Sequence, residues 1–446
     1  MPYRICLISL GCAKNQVNSE QMLYLLNQAG HEVVGEVDGC DVAIVNTCGF
    51  IDSAKSEAID QILQLAEVKK AGGLKKILVT GCLSQRYEND ILESLPEVDG
   101  MLGTGSFGQI CAAVEDVMHG GRPLYFGDKS GPIEEIGRVV TTGPGWAYLR
   151  IAEGCDNWCA FCAIPAIRGR YRSRTLDAIV QEAQELADLG VKELIVIAQD
   201  ITKYGMDLPE HKRLLPELLR ELCKMDFTWI RLHYLYPDQI TDELIDVIAE
   251  EPKIVKYLDI PLQHVSKRIL RAMHRPGGDG AEFTALIEDM RRRIPGLVLR
   301  TSLIVGLPGE TDDEFAELCE FLQNAAIERV GVFEYSPEEG TEAAEMPDQI
   351  DAETKQNRRL IVEELQSGVL DDYNTSRHGE VMQVLVEGFD DEQQLWYGRT
   401  YADSVEVDGH VYFDAADNEP AEGEFVSVLI TESLGPDLLG VRQKEA

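Results

Sequence analysis

Three closely spaced cysteines, Cys155, Cys159 and Cys162, form the pattern C-x-x-x-C-x-x-C within GCDNWCAFCAIP. Iron–sulfur clusters are held by cysteine thiolates and usually take four of them. Three thiolates at this spacing can hold three irons of a four-iron cluster and leave the fourth iron open to a small molecule. A zinc site and buried structural thiols are the alternatives, but zinc motifs more often add a second C-x-x-C pair or histidines. The pattern therefore predicts a 4Fe-4S cluster with one open corner.

Three other cysteines, Cys12, Cys48 and Cys82, each follow a short apolar run, in SLGCAKN, VNTCGFI and VTGCLSQ. The runs, at 5–10, 42–45 and 77–79, are typical of buried parallel strands, and helical patterns such as 53–68 follow them. The carboxyl ends of parallel strands share one edge of a sheet, where open α/β sheets bind ligands. We expect the three thiols to converge there as a second metal site. Three core cysteines are the alternative, since free cysteine is often buried.

The middle of the chain alternates between strand and helix patterns, which predicts parallel strands with crossover helices. The strands are expected at 148–152, 194–198, 229–232, 257–260, 297–305 and 330–335, and the helices at 176–189, 214–225, 242–249, 282–293 and 314–323. Six units fall short of the eight of a complete barrel, so an open, partial barrel is predicted.

Functional residues of such barrels lie where the strands end. Gln199, Gln263 and Gly306 occupy these positions and are candidates for binding a cofactor. Each can also be an ordinary turn residue, and Thr311 with Glu314 fits a capping box for the next helix.

The last part of the chain begins with a charged helix at 352–372 and continues as short alternating strands. Strands are expected at 380–387, 395–399, 405–407, 410–413 and 425–432, which predicts a small antiparallel barrel. The basic residues from 376 onward are few: Arg377, Arg399, Arg442 and Lys444. A nucleic-acid-binding face needs Lys and Arg to neutralise phosphates, so this barrel is expected to meet a positively charged partner.

The composition sets the broader limits. The chain has 446 residues and a net charge of −37 from 41 basic and 78 acidic residues, a surface that repels phosphate backbones and attracts basic partners. Eleven cysteines without a signal-like amino terminus favour metal or redox chemistry over disulfides. No apolar run is long enough to span a membrane, and a cytoplasmic protein is expected.

The predicted organisation is an α/β domain at 1–130, a Gly/Pro-rich linker at 131–145, the partial barrel at 146–350, a connecting helix at 351–375 and the small barrel at 376–446.

The cysteine run, with Phe161 before its last cysteine, resembles the radical S-adenosylmethionine enzymes. Together with the second cysteine set and the terminal barrel, the whole chain resembles the methylthiotransferases of that superfamily. GCAKNQVNSE, NTCGFIDSAKSEAI, IAEGCDNWCAFCAIPAIRGRYRSR, YLDIPLQHVS and YGRTYADSVEVDG are similar to the branch that modifies a ribosomal protein. GCAKNQVN departs from the more usual GCPKNLVD of that branch but keeps the glycine and the cysteine.

The resemblance implies a radical enzyme with two 4Fe-4S clusters and a terminal TRAM domain. Cys155, Cys159 and Cys162 would carry the catalytic cluster, and Cys12, Cys48 and Cys82 the second one. S-adenosylmethionine would serve as radical source and as methyl donor, with a reducing electron donor and a sulfur donor as further partners. The implied product is a methylthio group on the β-carbon of an aspartate in the basic small-subunit ribosomal protein S-twelve. This places nucleic acid outside the primary partners.

Other functions fit parts of the pattern. The sister branch of the same family acts on an adenosine of transfer RNA, against which the acidic surface argues. An iron–sulfur carrier or RNA-binding scaffold would hold iron without cleaving S-adenosylmethionine. Sulfur insertion without methylation would give thiol products.

Overall fold

The computed structural model describes residues 2–275, 277–415 and 418–443. By their contacts they form two compact units. Unit 1 comprises Met1–Thr141, Arg150–Ala178 and Ser336–Ala344, and unit 2 comprises Thr142–Leu149, Ile179–Tyr335 and Glu345–Ala446. Both cysteine sets belong to unit 1. The division follows contacts rather than sequence segments, and the domain boundaries given above stay a prediction.

The amino-terminal part of unit 1 is built on a parallel six-stranded sheet with the strand order β2-β1-β3-β4-β5-β6. Its strands are β1 (Arg4–Ser9), β2 (Glu32–Val34), β3 (Cys40–Thr47), β4 (Leu74–Gly81), β5 (Gly100–Leu102) and β6 (Leu124–Tyr125). The three strands expected from the apolar runs are β1, β3 and β4, which are the buried centre of the sheet. The predicted parallel α/β architecture is confirmed.

Helices cover both faces of this sheet: α1 (Ala13–Gln28), α2 (Asp52–Lys70), α3 (Cys82–Arg86), α4 (Glu88–Ser94) and α5 (Ile110–Met118). Helix α2 buries Ala58, Ile62 and Leu65, a spacing of three to four residues that places them on one helix face against one side of the sheet. Met22 and Leu26 of α1 pack with α5 on the other side. Two apolar cores therefore hold the sheet between layers of helix.

A short hairpin completes unit 1. After β7 (Trp146–Arg150) the chain forms β8 (Ala152–Glu153), α6 (Ile164–Arg168) and β9 (Arg172–Ser173). Strands β8 and β9 pair antiparallel, with Ala152 opposite Ser173 and Glu153 opposite Arg172. The hairpin thus pins both ends of the loop that carries the C-x-x-x-C-x-x-C run.

Unit 2 contains the second sheet, with the order β14-β13-β12-β11-β10-β7, and β10 to β14 pair in parallel. Its further elements are α7 (Leu176–Asp188), β10 (Glu193–Ile197), α8 (Leu215–Leu222), β11 (Trp229–Leu232), α9 (Asp242–Glu250), β12 (Ile254–Asp259), α10 (Lys267–Ala272), α11 (Gly280–Arg293), β13 (Val298–Val305), α12 (Asp312–Ala325) and β14 (Arg329–Glu334). The six predicted strands are confirmed, as is the capping box of Thr311 and Glu314 on α12. Helix α10 was missed because a helix of six residues leaves almost no periodic signal.

After α13 (Glu342–Glu345) and the long α14 (Ala352–Ser376), five strands close a small barrel in the order β15-β16-β17-β19-β18. They are β15 (Val381–Asp390), β16 (Leu395–Arg399), β17 (Val411–Asp414), β18 (Phe425–Leu434) and β19 (Asp437–Arg442). The predicted barrel is confirmed, and β17 pairs with β19 in parallel while the other pairs are antiparallel. Among the helices that the structure describes, none has the length and apolar character needed to cross a membrane.

The strand predicted at 405–407 is wrong. The segment lies in a loop whose turn is closed by Asp408, which accepts a hydrogen bond from the backbone of Ser404 at 2.8 Å. Asp408 also accepts from the hydroxyl of Tyr257 on β12 at 2.6 Å, so Asp408 ties the loop to the sheet and no barrel strand forms here. The fifth strand is instead β19, which was not predicted because the turn residues Gly435 and Pro436 directly precede it. Lys444 lies outside the described residues.

Candidate functional site

The N-terminal trio (Cys12, Cys48 and Cys82) lies at the carboxyl edge of the first sheet. Cys12 immediately precedes α1, Cys48 follows β3, and Cys82 begins α3 directly after β4. Cys82 is buried, Cys48 is half-buried and Cys12 is exposed. The strand-end positions expected from the sequence are thus observed for all three thiols.

Glycines allow the three loops to approach one another. Gly11 has a φ of +91°, and a Cβ there would lie 2.8 Å from the Cβ of Cys48. Gly81 has a φ of +99°, and a Cβ there would lie 2.5 Å from the carbonyl oxygen of Thr47. Both backbone conformations favour glycine, and neither position has room for a side chain. The residues beside Cys12 and Cys82 are therefore glycine because the loops meet at backbone distance.

Asn15 on the first turn of α1 fixes the same edge. Its side-chain amide donates to the carbonyl oxygens of Leu10 at 2.9 Å and of Thr47 at 3.0 Å. It therefore joins the loop before Cys12 to the loop before Cys48. Asn46 donates in turn to the backbone carbonyl of Asn15 at 2.8 Å. Both side chains are fully buried, so the edge is rigidly hydrogen-bonded rather than loosely packed.

The three thiols share one electrostatic environment. Burial raises the pKa of Cys82 to about 11 and also raises the pKa of Cys48. Although Cys12 is exposed as a residue, desolvation of its sulfur also opposes ionisation, but the positive charges of Lys14 and Arg168 hold its pKa below the ordinary value. Negative charge on Cys12 or Cys48 raises the pKa of Cys82 further, and charge on Cys12 raises the pKa of Cys48, as expected for thiols that lie near one another.

The loop trio (Cys155, Cys159 and Cys162) is carried by the hairpin loop between β8 and β9. The backbone N–H of Cys155 donates to the carbonyl of Gly169 at 3.2 Å, across the base of the loop. The N–H of Cys162 donates to the carbonyl of Cys159 at 2.9 Å, which makes a tight turn around Phe161. Gly154 has a φ of +79°, and a Cβ there would collide with the carbonyl oxygen of Arg170. The loop that presents the three thiols is thus closed by main-chain contacts.

The helix that follows the loop trio packs against the N-terminal trio within unit 1. Cys82 packs against Ala163 and Ile167 in one buried apolar cluster, and Ala163 directly follows Cys162. Helix α6, which begins two residues after Cys162, therefore lies against the start of α3. The sequence predicted two sites, and the fold places them side by side.

A second link is made by residues 336–344. The carboxylate of Glu338 accepts from Lys55 at 3.1 Å and from Arg86 at 3.0 Å, on the helices that follow Cys48 and Cys82. The backbone N–H of Ala343 donates to the carbonyl of Ala160, inside the loop trio, at 2.9 Å. The same segment therefore contacts both cysteine sites.

The donor sets are cysteine thiols, the ligands that hold iron–sulfur clusters. All eleven cysteines are free of disulfides. Within the described ranges, no group of three or more His, Cys, Asp or Glu side chains is arranged to hold a single metal ion. Three convergent cysteines beside a buried guanidinium, with glycines that keep the loops free of side chains, match the ligands that Fe–S clusters require.

The three candidate cofactor residues lie in unit 2, at the strand ends where they were predicted. Gln263 has a φ of +71°. Its backbone N–H donates to the carbonyl of Ser302, and its carbonyl accepts from the N–H of Ile304, both at 2.8 Å. Gly306 has a φ of +73° and donates its N–H to the carboxylate of Glu310 at 2.8 Å. Gln199 follows β10 by two residues. A left-handed glutamine fixed by its neighbours is the kind of strained residue that concentrates at binding sites.

Several functional neighbours escaped the sequence reasoning, above all Arg168 and Glu153. Two features of the sequence indicate buried charged residues near the cysteines. IRGRYRSR is a basic run in a strongly acidic chain. Helix α1 buries polar residues, Lys14, Asn15, Asn18, Ser19, Glu20 and Gln21, where a helix on a sheet normally buries apolar ones. A polar helix face that becomes buried implies polar partners, but the sequence does not show which they are.

Three family models match the chain. The Radical SAM superfamily matches residues 149–322, Uncharacterized protein family UPF0004 matches residues 4–103, and the TRAM domain matches residues 379–442.

Full-length relatives are also similar. The ribosomal protein uS12 methylthiotransferase RimO of Caldanaerobacter subterraneus subsp. tengcongensis is 48% identical over 436 residues, which cover 97% of this chain and 98% of that protein. The protein of the same name from Lachnoclostridium phytofermentans is 47% identical and covers 99% of this chain and 100% of its own.

Among solved structures, the radical S-adenosylmethionine methyltransferase TsrM from Kitasatospora setae, with cobalamin and a [4Fe-4S] cluster bound, has a similar fold. The TM-score is 0.57 at 14% identity, and the match covers 77% of each chain.

Proposed function

Because this chain belongs to the family of ribosomal protein uS12 methylthiotransferases, we propose that it adds a methylthio group to an aspartate of that ribosomal protein. It is a radical S-adenosylmethionine enzyme that works with 4Fe-4S clusters. The modified atom is the β-carbon of the aspartate side chain. The observation that carries the proposal is that both cysteine trios lie in one compact unit, with Cys82 packed against the helix that follows Cys162.

We assign one cluster to each trio. Cys155, Cys159 and Cys162 would hold the cluster used for radical chemistry, and Cys12, Cys48 and Cys82 would hold the cluster that supplies sulfur. When bound, the clusters and S-adenosylmethionine supply the electron, the radical, the sulfur and the methyl group, which side chains cannot supply. Each trio leaves one cluster corner without a protein ligand.

The chain's own residues hold the two sites close together and in fixed orientation. Asn15 binds the loops that precede Cys12 and Cys48, and the β8–β9 hairpin fixes the loop trio. Cys82, Cys155 and Cys159 are buried, which keeps water from most of the thiol surface. Such fixed placement is the part of the rate enhancement that a protein contributes to cofactor chemistry.

The acidic charge of the chain supports a basic protein as substrate. The net charge of −37 attracts a positively charged partner and repels the phosphates of RNA. Gln199, Gln263 and Gly306 are proposed to help bind S-adenosylmethionine. A reducing electron donor and a sulfur donor are further partners, and the reaction is proposed to take place in the cytoplasm, where ribosomal proteins are available.

Mass spectrometry of substrates tests the proposal. The reconstituted protein is incubated under anaerobic, reducing conditions with S-adenosylmethionine and either isolated uS12 or unmodified transfer RNA. We expect a methylthio group on an aspartate of uS12 and none on the RNA. The Cys48→Ala variant should still cleave S-adenosylmethionine but should leave uS12 without the methylthio group. Methylthio-adenosine in the RNA, with uS12 unmodified, would overturn the assignment.

A further inference from the structure

Arg168, the last residue of α6, is a deeply buried charge beside Cys82, with a side chain that is 2% exposed. Burying a guanidinium is costly unless its donors are satisfied. The groups that accept its hydrogen bonds therefore indicate what kind of ligand the site can bind.

The guanidinium contacts the N-terminal trio and the strand that leads into the loop trio. Its Nη2 donates to the Sγ of Cys82 at 3.4 Å and to the side-chain oxygen of Asn15. Its Nη1 donates to Asn18 at 2.9 Å and to the carboxylate of Glu153 at 3.2 Å. Asn15 and Asn18 belong to the helix that starts after Cys12, while Glu153 lies two residues before Cys155. One side chain thus connects the N-terminal trio to the base of the loop trio.

Arg168 shares the carboxylate to which it donates. Glu153 also accepts from the buried Arg150 at 2.9 Å, so two guanidinium groups share its carboxylate. The other partners of Arg168 are two amide oxygens and a thiol, none of which carries a formal charge while the thiol is protonated. The guanidinium therefore faces Cys82 directly, and both side chains are buried.

We propose that Arg168 is a positioning residue whose buried charge offsets the negative charge of a cluster on Cys12, Cys48 and Cys82 and ties that cluster to the loop trio through Glu153. The inference rests on the proposed function, in which this trio holds a cluster. Three thiolates make such a cluster net negative, and one more electron increases that charge. A fixed cation beside Cys82 favours the reduced form, since charge interactions are strong away from water.

A redox titration of the N-terminal cluster alone tests this role. The loop trio is removed from the full chain by Cys155→Ala, Cys159→Ala and Cys162→Ala, and the protein is reconstituted anaerobically. Iron content and the midpoint potential, followed by electron paramagnetic resonance, are compared for Arg168→Met, Arg168→Lys and Glu153→Gln in this background. Arg170→Gln is the matched control, because Arg170 lies two residues away and its side chain is 70% exposed and paired with Asp156.

We expect Arg168→Met to lower the ratio of reduced to oxidised cluster at a fixed potential by tenfold or more, a shift of about 59 mV for one electron. Arg168→Lys should recover most of this loss because the charge is kept. Glu153→Gln should shift the ratio in the opposite direction, since it removes a negative charge and keeps the side-chain shape. Arg170→Gln should leave the ratio unchanged.

Four irons with an unchanged potential in Arg168→Met would overturn the inference and leave the cluster assignment standing. If Arg168→Met does not hold iron, Glu153→Gln and Arg168→Lys decide the matter. A Glu153→Gln potential equal to that of the parent protein would then overturn it. A parent protein without the loop trio that binds no iron at all would instead refute the proposed function.

Discussion

The substitution Glu193→Gln is expected to destabilise unit 2 severely. Glu193, the first residue of β10, accepts from Arg231 at 2.6 Å and from Arg399 at 2.7 Å, and all three side chains are completely buried. Arg399 belongs to β16 of the terminal barrel and Arg231 to β11 of the sheet. The carboxylate therefore holds two guanidinium groups from different parts of unit 2.

The magnitude follows from what is left behind. Removing one partner of a buried ion pair costs about 3–5 kcal/mol because the remaining charge is uncompensated. Arg399 keeps a second carboxylate partner, Glu387 at 2.7 Å, but Arg231 would lose its carboxylate. We therefore expect a loss of about 3 kcal/mol, or roughly 6 °C or more in melting temperature for a unit of this size. The matched control is Glu243→Gln, whose pair with Arg220 is exposed and is worth about 1 kcal/mol or less.

Urea unfolding of the full chain, followed by far-ultraviolet circular dichroism, measures both variants. Burial opposes ionisation of Glu193, but Arg399 and Arg231 hold its pKa below the ordinary value. Its stabilisation is therefore present above the unfolded pKa of about 4.3 and is lost as the pH falls through the lower folded value. Equal stability of Glu193→Gln and Glu243→Gln at pH 7 would refute the reasoning.

Two further predictions concern the cysteine loop and the second sheet. Gly154→Ala should disorder the loop trio and lower the iron content by about one cluster, because the added Cβ would collide with Arg170. Gly190 also has a left-handed backbone conformation but lies in open space, so the control variant Gly190→Ala should keep both clusters. Burial lowers the pKa of His264 to about 4 in the folded protein. As the pH falls, His264 is therefore protonated in the unfolded chain before it is protonated in the folded one, and unit 2 loses stability between about pH 6.5 and pH 4. Unfolding of wild type and His264→Asn at pH 7 and pH 5 should show this loss, on the order of 1–3 kcal/mol, in the wild type only; the same pH dependence in both proteins would contradict it.

The sequence predicts much of the fold because the relevant signals are local. Apolar runs of strand length that end in a glycine–cysteine or threonine–cysteine step place Cys12, Cys48 and Cys82 at one sheet edge without any tertiary information. The same reasoning recovers the six strands of the second sheet. It fails at β19, where turn residues precede the strand, and at 405–407, where contacts with β12 prevail over a strand-like pattern.

The neighbours of the cysteines could not be predicted in this way. Arg168 contacts Asn15 and Cys82, which lie far from it in the sequence. Such contacts are set by tertiary packing rather than by the periodicity of the sequence. The sequence shows an arginine-rich run and a helix with too many polar residues. Only the fold shows that one arginine of the run becomes buried between the two trios while Arg170 stays at the surface.

Iron counting on the reconstituted full chain tests the central claim most directly. We expect about eight irons per chain for the wild type, in two four-iron clusters. Cys48→Ala and the triple variant of Cys155, Cys159 and Cys162 should each retain about four. A Cys48→Ala protein with as much iron as the wild type would show that the N-terminal trio holds no cluster, and the sulfur-delivering half of the proposed enzyme would be lost.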